Sequence, residues 1–181
     1  GDVFAILWDL HLTFTSRSRG ELSDVNLGPG RFGVRQIAFL PSGHLRAALF
    51  RRDASGGPSL EFVDIDPYAG SMNIVGSMKV ESPARVQFDG PAARALLTSV
   101  TQAGRGATIS LVDFNRTSGE VSSPVLLSDV LFPSAIFLAD GRIAASTGGS
   151  VGSWQGRALK IFSPAGQALL DAAFERLGLS A

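Results

Sequence analysis

A glycine-rich stretch near the N-terminus has the spacing of a dinucleotide-binding fingerprint. Residues 28–33 spell Gly-Pro-Gly-Arg-Phe-Gly, which fits G-x-G-x-x-G, and an aspartate follows at position 53. In that fingerprint a helix must follow the glycines, so that its N-terminus meets the pyrophosphate. Here only residues 34–40 separate Gly33 from a Pro-Ser-Gly turn, and the apolar residues Ile37 and Phe39 alternate as they do in a strand. The stretch is therefore predicted to be a loop, and no nucleotide or other cofactor is expected.

A second stretch, residues 148–152, has the spacing of a hydrolase nucleophile elbow, G-x-S-x-G. An elbow needs a helix after its serine, and an acid and a histidine later in the chain. Both histidines, His11 and His44, precede this serine, and the sequence after residue 156 is strand-like. We therefore predict a loop here and no catalytic residue.

Other candidates for chemistry are few. The chain has no cysteine, which excludes disulfides and thiolate metal sites. Asp64 and Asp66 lie close together, but the later ligands of a calcium loop are absent, so both are predicted to form turns and no metal site is expected. The net charge of zero gives no basic footprint for nucleic acid. No run approaches the ~20 apolar residues that span a bilayer, so no membrane span is predicted.

Internal repetition explains the glycines better than chemistry does. Residues 37–50, 86–99 and 135–148 align as IAFLPSGHLRAALF, VQFDGPAARALLTS and AIFLADGRIAASTG. One anchor of the alignment is Phe39, Phe88 and Phe137, each 49 residues from the next. A second anchor keeps the same period with Val63, Val112 and Ile161. Both sets are predicted to be buried equivalents of one repeating unit.

Each unit is predicted to contain four short strands, joined by Pro-Ser-Gly, Asp-Pro-Tyr-Ala-Gly and similar turns. A repeat of about 40–50 residues with four strands is typical of a propeller blade. The fold class predicted is all-β: one β-propeller segment over residues 1–181, with four antiparallel strands per blade. The predicted blades are residues 1–30 (partial), 31–79, 80–128 and 129–177.

The repeat unit F-x-P-S-G-H-L-R-A-A-L-F, followed by G-G-P-S-L-E-F-V-D-I-D-P-Y-A-G, resembles the blades of TolB-like propellers, which are related to WD-repeat and NHL blades. The resemblance covers nearly the whole chain. It implies a propeller architecture but no particular activity, because its motif marks turns and strands. The Gly-His and Trp-Asp pairs of strict WD repeats are missing from their usual register.

The two ends of the repeat are predicted to differ. Residues 1–27 supply the second, third and fourth strands of a blade, whose first strand has no residues to form it. The segment 164–177 is compatible with a helix by its composition, but the blade register favours an outer strand, which is the prediction adopted. The chain is thus expected to hold three complete blades and a partial one, and to be unable to close a ring alone.

One face of the predicted propeller collects arginines, since the loops between second and third strands and those between blades meet there. Clustered arginines suit carboxylate or phosphate groups of a ligand or partner. A solvated rim of mixed charge, with Asp53, Glu81 and Asp129 opposing the arginines, is the preferred interpretation. Trp154, in a Gly-Ser-rich loop, is a candidate partner anchor or a cover for a blade edge. The candidate face comprises Arg31, Arg51, Arg52, Arg105, Trp154 and Arg157.

The function predicted is a non-catalytic binding or scaffold module within a larger ring or assembly. Its partner is expected to be another protein or the remaining blades of the parent protein, with a homodimer as the alternative. The competing functions are the propeller portion of an enzyme, either a peptidase gating domain or a lactonase-like ring, and a short-chain propeller lectin. These functions rest on fold analogy, which constrains activity weakly.

Overall fold

The structure is a computed structural model that describes residues 2–8, 11–29, 31–53, 57–80, 84–100, 106–114, 124–131, 133–148 and 157–173, without the side chains of residues 8, 31, 32, 53 and 129. These residues contain strands and turns and no helix. The strands form four antiparallel sheets, in each of which neighbours in sequence are neighbours in space. This meander is the topology of a propeller blade, as predicted.

Within the described ranges, the first sheet has three strands and each of the others has four. Sheets 1 and 2 belong mainly to one compact unit, and sheets 3 and 4 to a second. Sheet 1 comprises β1 (Val3–Trp8), β2 (His11–Ser16) and β3 (Gly20–Asn26). Sheet 2 comprises β4 (Arg31–Phe39), β5 (Leu45–Asp53), β6 (Gly57–Asp66) and β7 (Ser71–Lys79). Sheet 3 comprises β8 (Arg85–Phe88), β9 (Arg94–Val100), β10 (Ala107–Asp113) and β11 (Val125–Val130). Sheet 4 comprises β12 (Ser134–Phe137), β13 (Ile143–Thr147), β14 (Ala158–Phe162) and β15 (Ala168–Ala173).

Alternation along the strands builds an apolar core between the sheets of each unit, because residues two apart share a face of a sheet. In the first unit Leu12 and Phe14 of sheet 1, both fully buried, pack against Leu45, Ala47 and other residues of sheet 2. In the second unit a face of sheet 3 packs on a face of sheet 4. The buried residues of this second core are Leu96, Ile109, Leu111, Leu127, Ile143, Ala145 and Phe162.

Strand pairing tests the two anchors of the repeat. Phe39, Phe88 and Phe137 each end the first strand of a sheet and pair with the first or second residue of the second strand. Their positions are therefore equivalent, but their burial is not: Phe88 is buried, Phe137 is half-buried, and Phe39 is 43% exposed. The prediction of uniform burial was wrong for Phe39, and the described part of sheet 1, in the same unit, has no first strand that could cover it.

The second anchor is also wrong in two of its three positions. Leu45, Ala95 and Ile143 are equivalent, because each pairs with one of the three phenylalanines. Their partners on the third strands are Ile65, Val112 and Phe162, so these three residues are the true equivalents there. Hairpin lengths differ between the units, so a constant spacing of residues does not follow the pairing. Val63 is nevertheless fully buried, whereas Ile161 is half-buried on the other face of sheet 4.

The segments that gave ambiguous signals are strands and turns where the structure describes them. Gly28 and Gly33 both have positive φ, and a strand, β4, occupies the place where a nucleotide-binding fold needs a helix. The segment 164–177 contains the strand β15, as preferred, up to Ala173. Residues 149–156, which hold most of the G-x-S-x-G stretch and its following loop, lie outside the described residues.

Candidate functional site

The arginine face predicted from sequence lies partly within the first unit. Arg31 and Arg51 are direct cross-strand partners on β4 and β5, and Arg52 follows at an exposed position. Arg51 Nη1 donates to Glu61 Oε1 at 2.6 Å, and the Glu61 side chain is buried. Because Glu61 already accepts from Arg51 within the sheet, part of the positive charge of the predicted face is balanced internally.

The remaining members of that face are not brought to it by the described structure. Arg157 is half-buried just before β14, in the second unit. Arg105 and Trp154 lie outside the described residues, as does Glu81. The six residues as one partner-binding face therefore remain a prediction.

Arg46, which sequence reasoning did not select, forms a clamp in the first unit. Its Nε and Nη2 donate to the two carboxylate oxygens of Asp64 at 2.7 and 2.8 Å, and its Nη1 donates to the backbone oxygen of Ala92 at 2.6 Å. The side chains of Arg46 and Asp64 are only 11% and 20% exposed. A two-pronged pair of this kind fixes geometry as well as charge, so Arg46 positions the backbone at residue 92.

Arg94 plays the same part in the second unit. Its Nε donates to Asp89 Oδ2 at 2.9 Å, and its Nη1 donates to the carbonyls of Gly141 and Pro164 at 3.2 and 2.8 Å. Its guanidinium also lies 5.1 Å from the centre of the Phe137 ring, within cation–π range. Arg94 therefore ties sheet 3 to two turns of sheet 4.

A signal for these clamps was present in the sequence. Arg46 interrupts the apolar run from Leu45 to Phe50, and a charge at such a position needs a partner. The carbonyls that complete each clamp belong to distant turns, and no residue type marks them. Only the packing of the sheets identifies these acceptors.

Three carboxylates of the short turns have lowered pKa values for local reasons. The backbone N–H groups of Ala69 and Tyr68 lower the pKa of Asp66, and those of the Arg142 backbone and side chain lower the pKa of Asp140. The hydroxyls of Ser16 and Ser18 lower the pKa of Asp2. All three carboxylates stay ionised at neutral pH while they accept hydrogen bonds, which suits turn stabilisation rather than proton transfer.

The outward face of sheet 4, opposite the core of the second unit, carries an apolar ladder. The ladder has four members: Ile136, Ala144, Ile161 and Leu170. Each lies on a different strand and pairs directly with the next, so the four form a single row across the sheet. Ile136 and Leu170 are 49% and 44% exposed. We use the name apolar ladder for Ile136, Ala144, Ile161 and Leu170.

The outward face of sheet 1 is mixed in character. Phe4 and Ile6 on β1 are exposed, and their partners across the sheet are Thr15 and Thr13. Thr13 Oγ1 donates to Asp24 Oδ1 at 3.1 Å, and the other oxygen of Asp24 lies 2.8 Å from His11 Nδ1. This face thus combines an apolar strand with a polar network on its neighbours.

Comparison with known proteins places the chain by its fold. No protein-family model and no curated protein matches the sequence. A solved protein from Lactobacillus plantarum aligns over 93% of this chain and 50% of its own, with a TM-score of 0.53 and 12% identity. The β-propeller domain of the trilobed protease from Pyrococcus furiosus, described as having an open velcro topology, aligns over 90% of this chain and 51% of its own, with a TM-score of 0.53 and 13% identity.

The fold is therefore that of a β-propeller segment, and its sheets are propeller blades. The chain spans about half the length of each of these two solved structures. Identities this low support the fold alone, and the relation to TolB-like, WD-repeat or NHL blades remains a prediction. Within the part of the chain that the structure describes, no apolar helix has membrane-spanning length. In those same residues, no three metal-binding side chains form a group.

Proposed function

We propose that the chain is a non-catalytic binding or scaffold module, built from propeller blades and forming part of a larger ring or assembly. The observation that carries the proposal is the apolar ladder on the outward face of sheet 4. Exposed apolar patches with a defined shape are typical of interaction sites.

The repeat itself indicates what covers such a ladder. On sheet 3 the equivalent row is Gln87, Leu96 and Leu111, as the strand pairing shows. Leu96 and Leu111 are buried in the core of the second unit, whose sheet 4 side includes Ile143 and Phe162. A face of one blade thus covers this row where a following blade exists. The partner of the ladder is accordingly the corresponding face of a further blade.

A further four-stranded blade, supplied by other polypeptide of the parent protein, fits the ladder better than a second copy of this chain. The covering face of sheet 4 contains Ala135 and Phe137 from its first strand. The described part of sheet 1 has no first strand. On the strand β2, which is equivalent to the third strand of the other sheets, the residues on the matching face are Thr13 and Thr15. A second copy would leave Ile136 poorly covered, so the homodimer is the less favoured partner.

The use of charge supports a non-catalytic role. The described arginines and carboxylates that form ion pairs do so across hairpins and turns of one unit. Catalytic groups usually converge on a pocket and have pKa values tuned toward their task. Ion pairs that hold strands and turns together are what a rigid recognition module needs.

Light scattering of the isolated chain tests the proposal through the ladder. We expect the wild-type chain to form dimers, larger species or aggregates, because its apolar faces are open. Ile161→Lys should shift the mass toward the 18.9 kDa monomer. The matched control is Ile74→Lys, at a position 50% exposed on sheet 2, which should leave the mass unchanged. A wild-type chain that is a well-behaved monomer, or equal effects of the two variants, would contradict the proposal.

A second candidate is the propeller portion of an enzyme, such as a gating domain of a peptidase. The observation that favours it is the structural similarity to the propeller domain of the trilobed protease. Titration with calcium and zinc tests the other enzyme candidate, a metal-dependent lactonase-like ring, since a gating domain needs no metal. Tight binding of one metal ion per chain would favour that ring, and no saturable binding would exclude it.

A further inference from the structure

A small polar cleft lies between the first strands of sheets 3 and 4, within the second unit. Its volume is about 30 Å³, and Arg85, Gln87 and Thr98 of sheet 3 line it together with Ser134 and Ala135 of β12. A single water molecule needs at least about 10–15 Å³ of such space, so the cleft has room for about two atoms of the size of oxygen. A head group with two oxygens therefore fits here, and a sugar or nucleotide ring does not.

The charge in this cleft is positive and comes from one residue. Of the described residues that border the cleft, Arg85 alone is charged. No hydrogen bond or ion pair joins the Arg85 side chain to any other residue of the described ranges. The carboxylate of Asp89, which follows β8, is already held by Arg94 at 2.9 Å. The donors of Arg85 are thus available to a ligand.

The strand register places neutral polar groups beside Arg85. Arg85 pairs across β8 and β9 with Thr98, and Gln87 pairs with Leu96. Arg85 and Gln87 lie on one face of sheet 3, because residues two apart share a face, and Thr98 and Leu96 are their neighbours on that face. Gln87 and Thr98 are half-buried, and Leu96 is buried. The cleft therefore combines one cation, an amide and a hydroxyl with a buried apolar side chain.

The repeat shows that a blade does not need a cation at this position. By strand pairing, the equivalent of Arg85 is Gln36 in sheet 2 and Ser134 in sheet 4. Both residues are neutral, and both sheets have the same four-stranded meander as sheet 3. Arg94, by contrast, holds two turns through hydrogen bonds. The charge of Arg85 is thus free for recognition, since the sheet does not depend on it.

The chemistry of the cleft selects a carboxylate among small anions. One guanidinium supplies one positive charge and two parallel N–H donors, which match a planar carboxylate in charge and in geometry. The amide of Gln87 and the hydroxyl of Thr98 are further donors for the remaining lone pairs of its oxygens. A phosphate group has more oxygens and more charge than this cleft can accommodate.

We propose that this cleft, named the Arg85 cleft, binds the carboxylate group of a small organic acid or of a polypeptide chain end, with Arg85 as its charged partner. The carbon next to the carboxylate lies against Leu96 and Ala135, and the rest of the ligand projects into solvent beside Arg85 and Ser134, which are exposed. The inference goes beyond the proposed function and does not depend on it, since no member of the apolar ladder lines the cleft.

Titration of the full chain with acetate tests the inference, with saturation-transfer NMR to observe the ligand at constant ionic strength. We expect saturable binding of acetate and none of acetamide, its uncharged analogue. Arg85→Gln should weaken acetate binding by about tenfold or more, because it removes a charge-assisted pair of hydrogen bonds. The matched control is Arg19→Gln, on an exposed turn of the first unit, which removes the same charge and should leave the affinity unchanged.

Two further variants separate the shape of the guanidinium from its charge. Arg85→Lys keeps the charge but cannot pair with both oxygens in one plane, so its affinity should lie between those of the wild type and Arg85→Gln. Thr98→Val keeps the shape of the side chain and loses the hydroxyl, and should weaken binding by about threefold. The variants at Arg85 should keep the melting temperature of the wild type, because this residue is exposed.

A dipeptide distinguishes the two sources of the carboxylate. N-acetyl-alanyl-alanine with a free carboxyl end is compared with its C-terminal amide, which should not bind, and with acetate. Tighter binding of the acid dipeptide than of acetate would identify a polypeptide chain end as the ligand, and binding no tighter would identify a small acid. Either result supports the Arg85 cleft.

Several outcomes would overturn the inference. They are no saturable binding of acetate or of the acid dipeptide, equal binding of acetate and acetamide, and equal losses in Arg85→Gln and Arg19→Gln. Tighter binding of inorganic phosphate than of acetate would overturn the assignment to a carboxylate. None of these results bears on the apolar ladder, whose test is the mass of Ile161→Lys.

Discussion

Sheets 2 and 4 carry equivalent rows of residues but use them in opposite ways. In sheet 2 the centre of the row is the ion pair between Arg46 and Asp64, whereas in sheet 4 it is Ala144 and Ile161. A buried ion pair is stable only when its geometry and remaining hydrogen bonds are satisfied, and Arg46 achieves this with the carbonyl of Ala92. An apolar row accepts any apolar face of suitable shape. The repeat therefore conserves the position of a contact but not its chemistry.

The first strands of the same two sheets differ in burial: here the residue of sheet 4 is covered and that of sheet 2 is exposed. Phe137 of sheet 4 is packed and stacked under Arg94, while its equivalent in sheet 2, Phe39, is exposed. The reason is the neighbouring sheet rather than the residue, since sheet 3 has a first strand and the described part of sheet 1 has none. Among the described residues, sheet 4 thus leaves its apolar ladder exposed, and sheet 2 leaves Phe39 exposed.

The largest effect is expected from breaking the clamp of sheet 2. Arg46→Ala leaves Asp64 without its main partner in a mostly buried position, so we expect the free energy of unfolding in urea to fall by about 3 kcal/mol. Arg142→Ala, in a pair with Asp140 in which both side chains are about half exposed, should leave the unfolding midpoint unchanged. Equal losses in the two variants would show that burial does not distinguish the pairs.

A smaller effect is expected from the two equivalent phenylalanines. Phe137→Ala removes core packing and the contact with Arg94, and should cost about 2 kcal/mol. Phe39→Ala removes a side chain that is already largely in water, and should cost less than about 1 kcal/mol. Thermal and urea unfolding of both variants measure the difference. A larger loss for Phe39 would mean that its side of sheet 2 is covered in solution.

The smallest effect is expected at a turn of sheet 2, at Asp66, which ends β6. Hydrogen bonds from Ala69 and Tyr68 hold its folded-state pKa below the ordinary value of 3.8. Its contribution to stability is therefore present above about pH 4 and is lost as the pH falls through the lowered pKa. Asp66→Asn should reduce the difference in melting temperature between pH 7 and pH 3. An unchanged difference would assign the acid sensitivity to other carboxylates.

The sequence by itself determined the class of fold and the number of strands in each sheet. Turn residues such as Gly43 and Gly70, with alternating apolar residues between them, specify hairpins locally. The repeated phenylalanine of the first strands marked equivalent positions correctly, because the hairpin that follows it has nearly constant length. The three-stranded first sheet and the strand β15 were predicted from the register of the repeat.

The tertiary structure alone decided which equivalent residues are covered and which charges are paired. Burial of Phe39 depends on a strand in another sheet, and the clamps at Arg46 and Arg94 depend on carbonyls of remote turns. Every residue carries a carbonyl, so sequence cannot mark an acceptor. The third-strand anchor failed because hairpin length, not sequence spacing, sets the register between strands. Local turn and strand preferences determine the blades of this protein, and packing between sheets determines which residues are in contact.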